Sequence, residues 1–62
     1  MDHHEAVHKM VEAYRTQMLA INYCDNSAGR ILMSQVRDII FEVGEKKFGR
    51  EFISTLHSSQ VD

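Results

Sequence analysis

Apolar residues return along the first third of the chain at Val7, Val11, Tyr14, Met18 and Ile21, alternating four and three apart. Spacing of that kind places every one of them on a single stripe of an α-helix. Met10 and Leu19 widen the stripe on either side. Asp2 is a natural cap for the start of this helix, and Glu5 three residues on completes a capping-box arrangement. The pattern predicts a helix over residues 3–23. Next comes CDNSAGR, dense in turn-forming residues, in which Gly29 can adopt positive φ. A second helix is expected over 33–47, with Val36, Ile39, Ile40 and Val43 as its buried stripe and Arg37, Asp38 and Glu42 facing water; either Gly44 or Gly49 ends it. A short third helix over 50–57 offers Phe52, Ile53 and Leu56. Proline is absent and no repeat or linker interrupts the chain, so the reading is all-α, one small domain of residues 1–62.

Size sharpens this picture. A chain of 62 residues buries only about 60% of the surface it exposes when unfolded, which leaves a thin core. Cys24 is the only cysteine, so no internal disulfide supplements that core, and a lone thiol suits a reducing compartment. The polar, histidine-rich start lacks a secretory-leader pattern, and no apolar run approaches the roughly 20 residues needed to cross a bilayer. A cytoplasmic protein with no membrane partner is expected. Net charge is −2, and the basic residues are scattered apart from Lys46, Lys47 and Arg50, which Glu45 and Glu51 flank. Nucleic-acid binding draws its affinity from clustered positive charge, so composition gives it no support.

The stretch from Ala20 to Phe52 reads AINYCDNSAGRILMSQVRDIIFEVGEKKFGREF. Gly29 followed by Ile31, and then VRDIIFEVGEKKF, make its centre resemble an EF-hand, the helix–loop–helix unit of the calmodulin and myosin light-chain superfamily. The resemblance spans roughly residues 15–48. It implies that Gly29 makes the sharp turn of a loop, that Ile31 lies on a short bridge between paired loops, and that residues 33–47 form the exiting helix. The calcium chemistry does not follow. An EF-hand loop needs oxygen ligands at alternate positions and a closing bidentate glutamate, and the corresponding places hold Cys24, Asn26, Ala28 and Gln35. Starting at Asp25 instead puts Arg30 at the turn and Val36 at the close. Neither register makes a cage for a divalent cation, so the expectation is an EF-hand-like, calcium-independent helix–loop–helix with no cofactor.

One string carries possible chemistry. HEAVH, His4 to His8, has the spacing with which zinc peptidases hold their metal and place a general base. Such a site needs a third ligand and a substrate cleft. Glu42, Glu45, Glu51 and His57 lie in no accompanying motif, and residue 4 falls in the first helical turn. The string is read as coincidental: no catalytic residues are assigned, and His4 and His8 remain only weak metal candidates. The serines, Cys24 and the phenylalanines form no recognisable nucleophile or base-stacking arrangement.

Burial arithmetic supplies the functional expectation. One helix pair and a short third helix cannot cover all these apolar stripes, and burying a large apolar side chain is worth roughly 1.5–3 kcal/mol. The residues expected to meet a partner are Val11, Tyr14, Met18, Ile40, Phe41, Phe48 and Phe52. The chain is accordingly read as a non-catalytic interaction or regulatory module, bound to a protein partner or to itself as a homodimer. A small DNA-binding transcriptional regulator and an HExxH-type zinc hydrolase stand as the contrasting alternatives.

Overall fold

The computed structural model describes residues 2–59 and consists of three helices, α1 (His3–Tyr23), α2 (Ser27–Phe48) and α3 (Arg50–Ser59), with no strand among the described residues. The all-helical expectation holds. Asp2, extended at φ −79° and ψ 170°, caps α1, its carboxylate accepting from the Glu5 N–H at 2.8 Å. Side-chain oxygens here satisfy donors that the first turn leaves without an intrahelical partner. At the other end the Cys24 N–H reaches back to the Ile21 carbonyl at 3.2 Å, a tightened final turn.

Helix α2 departs from expectation. It starts at Ser27, well before residue 33, because Asn26 is a helix cap. Its side-chain oxygen accepts from the Gly29 N–H at 3.0 Å and its carbonyl from the Arg30 N–H at 2.9 Å. Ser27, Ala28 and Gly29 therefore form a first turn, and no loop spans them. Gly29 does not have positive φ; among the described residues only Gly49 does. What Gly29 provides is space, since a Cβ there would stand 3.1 Å from the Cys24 sulfur. Helices α1 and α2 are thus joined by Cys24, Asp25 and Asn26 alone, and α2 runs antiparallel to α1.

Gly44 does not end α2; Gly49 does. Its φ of 61° and ψ of −133° suit a residue with no Cβ, and its N–H closes the helix onto the Glu45 carbonyl at 2.7 Å. The chain reverses there and α3 begins at the next residue.

Gly44 serves packing instead. It is buried, and a Cβ built on it would lie 2.7 Å from Cε1 of Phe52. The Phe52 ring is fully buried in this notch and forms a cluster with Val11 and Leu56, ringed by Met10, Tyr14, Phe41, Phe48 and Ile53. Phe41 meets Phe52 edge-on at 5.6 Å between centroids and Tyr14 at 5.8 Å. Such ring pairs add about 0.5–1.5 kcal/mol beyond their burial. Val7 and Ile21 are also buried along α1.

Between α1 and α2, the Gln17 amide donates to the Met33 carbonyl at 3.0 Å, and the Arg37 guanidinium lies 3.8 Å from the Met18 sulfur while holding Asp38 at 3.1 Å. Arg37 is therefore part-buried and does not project freely into water as its place between apolar residues suggested.

A domain of this length has roughly 3–9 kcal/mol of stability to lose. Phe52→Ala, which empties the notch, should cost about 3–5 kcal/mol and leave the chain largely unfolded by far-UV circular dichroism. Gly44→Ala should lower the melting temperature although it improves helix propensity: the methyl collides with a ring that has nowhere to go, and overpacking of this kind costs about 1–3 kcal/mol. A melting temperature raised by Gly44→Ala would contradict the close contact.

Candidate interaction surface

Apolar side chains occur nearly all the way round α2, so burial has to select among them. The side turned to α1 and α3 carries Met33, Arg37, Ile40, Phe41, Gly44 and Phe48, each buried or part-buried. The residues expected as its buried stripe lie mostly outside: Val36 is 40% exposed, Ile39 59% and Val43 46%. Leu32, at 63%, extends this row by another turn. Only Ile40 of the expected stripe turns inward.

The physical reason is Gly44. Because α3 approaches α2 where a side chain is missing, α2 rotates that notch into the core and carries Val36, Ile39 and Val43 onto its outer flank. Leu32, Val36, Ile39 and Val43 are spaced four, three and four apart, the interval that keeps side chains in one line along a helix. Together they present on the order of 350 Å² of apolar surface, comparable to the largest apolar patch on a typical monomer.

The residues expected to meet a partner are consequently placed elsewhere. Val11 (4% exposed) and Phe52 (0%) are core, so neither is available to a partner. Tyr14, Phe41 and Phe48 pack against that core as part-buried residues, and Met18 and Ile40 are part-buried as well. The surface missed by sequence reading is the α2 ridge, with Ile31 at 63% and, on α1, Leu19 at 57% and Tyr23 at 84% as further exposed apolar groups.

The histidine cluster has definite geometry too. The rings of His4 and His8 lie 4.5 Å apart, edge to face, on the exposed side of the first turns of α1. His3 turns the other way, its Nε2 2.6 Å from a carboxylate oxygen of Glu51 and its ring edge-on to Phe48 at 5.5 Å. It links the start of α1 to the start of α3, and both partners are well exposed, so the link adds little stability. Among the described residues no three histidine, cysteine or acidic side chains gather as a metal site would require. Nor can the three-residue connection between α1 and α2 hold the twelve-residue cage of an EF-hand; the positions once aligned with that loop lie largely within α2. No helix among the described residues is long and apolar enough to cross a membrane.

Calorimetric titration with calcium should show no binding in the micromolar range, and zinc should bind at most weakly, with no loss of helicity when chelator is added. Micromolar calcium affinity, or unfolding by chelator, would contradict this reading of the connection and of the histidines. Comparison of the chain with known families, with curated proteins and with solved structures finds no match.

Proposed function

We propose that this chain is a non-catalytic, calcium-independent protein–protein interaction module whose working surface is the exposed ridge of α2. One observation carries the reading: Leu32, Val36, Ile39 and Val43 form a continuous apolar line of three turns, each at least 40% exposed, on a helix whose other side already holds the core. A helix that spends one apolar side on folding and keeps a second in water is arranged for docking on another apolar surface, a recurring mode of recognition that uses evenly spaced apolar anchors. A homodimer or a complex with another chain would meet this need equally well. The free thiol of Cys24 accords with a reducing, cytoplasmic setting.

The exposed ridge and the part-buried side differ in what substitution does. Ile39→Glu should leave the far-UV spectrum intact and the stability of the dilute chain within about 0.5 kcal/mol, as expected of surface changes. It should also abolish association and uptake of an apolar fluorescent dye. Ile40→Glu, one residue along, should unfold the chain. If wild-type protein takes up no dye and associates with nothing, or if Ile39→Glu unfolds it, the ridge is not a working surface.

A further inference from the structure

We infer that His4 and His8 together hold a divalent transition-metal ion, as a two-imidazole clamp that exists while α1 is folded. Side chains four apart on a helix lie one above the other, and here the two ring centroids stand 4.5 Å apart. A metal-bound imidazole keeps its nitrogen about 2.0–2.1 Å from the ion, which puts the ring centre about 3.2 Å from it. Two rings in adjacent positions at right angles round one ion are then about 4.5 Å apart, and at the tetrahedral angle about 5.2 Å. The folded chain already has the first spacing. Both side chains are exposed, so rotation about their own bonds turns a nitrogen of each ring to a common point without disturbing the core. The neighbouring His3 is engaged elsewhere, its Nε2 2.6 Å from Glu51.

The backbone beneath the pair is held in place. Asp2 accepts from the Glu5 N–H at 2.8 Å and, through its carbonyl, from the Ala6 N–H at 3.0 Å, which sets the turn carrying His4. Val7 and Val11, both buried, hold down the turn that carries His8. Glu5, three residues before His8, and Glu12, four after it, share its side of the helix and are exposed; their charge favours a cation. Lys9 points about 100° away from His8, and Arg15 stands about two turns beyond it. Imidazole suits zinc and nickel and not calcium or magnesium. Two nitrogens are fewer than the three or four protein ligands of catalytic and structural zinc centres, so zinc is held weakly and keeps its other positions for water or for a donor from another molecule. The second ring binds intramolecularly and makes the pair tighter than either ring alone. An unfolded chain loses the fixed spacing, so the ion stabilises the folded state, increasingly with the logarithm of its concentration.

Thermal unfolding of the untagged full chain in increasing submillimolar zinc, followed by circular dichroism, tests the clamp. Nickel capped by nitrilotriacetate, which leaves two adjacent positions open, gives a second readout as retention on a resin. The melting temperature should rise with zinc and fall back on adding chelator, and the native chain should be retained more strongly than the urea-unfolded one. His4→Asn and His8→Asn should each weaken binding roughly tenfold or more, removing both effects while leaving the metal-free melting temperature unchanged. His3→Asn should keep both. An unmoved melting temperature in the wild type overturns the inference, as does retention that is equal in the native and unfolded chains. So does a shift that survives His4→Asn or His8→Asn, which would mark adventitious binding only, or one that His3→Asn abolishes.

Discussion

The missing side chain at Gly44 governs how this molecule is assembled. A glycine inside a long helix ordinarily weakens it by about 1 kcal/mol relative to alanine, yet here it opens the notch in which Phe52 of α3 meets α2. Phe52 enters it with its ring edge within van der Waals reach of the α2 backbone. Phe41 and Tyr14 then stack outward from that ring in edge-on and tilted contacts, and Val11 and Leu56 close the cluster. All three helices contribute to one small core because one position contributes nothing but room.

The same glycine explains what sequence reading could and could not see. The stripe of α1 was legible because most of its large apolar residues share one side, where Val7, Val11 and Ile21 are buried, with Leu19 and Tyr23 the exposed exceptions. Helix α2 offers no such confinement. Ile31, Leu32, Met33, Val36, Ile39, Ile40, Phe41 and Val43 leave hydrophobic periodicity free to favour several faces, and what decides is a residue with no hydrophobicity of its own. Val36, Ile39 and Val43, expected as the buried stripe, therefore lie exposed, while Val11 and Phe52, expected to meet a partner, are buried on α1 and α3.

The connection between α1 and α2 misled for a different reason. Asparagine, serine and glycine serve both turns and helix starts, and only the hydrogen bond from the Gly29 N–H to Asn26 distinguishes them. Asn26 is of a type that favours the cap position, and capping there is what starts α2 at Ser27. The loop that the EF-hand resemblance implies includes residues 27–35, which lie in α2. HEAVH stands in the sequence without a companion motif, and the fold sets the rings of His4 and His8 together on the exposed side of α1.

The brevity of the two connections has a kinetic consequence. Three residues join α1 to α2, and Gly49 alone joins α2 to α3. Neighbours in space are largely neighbours along the polypeptide, so little loop-closure entropy stands between the unfolded ensemble and the native arrangement. Helical topologies of low contact order reach their native state in microseconds to milliseconds. Where re-closing outpaces cleavage, susceptibility to a protease follows the equilibrium population of opened molecules and not the rate at which they open.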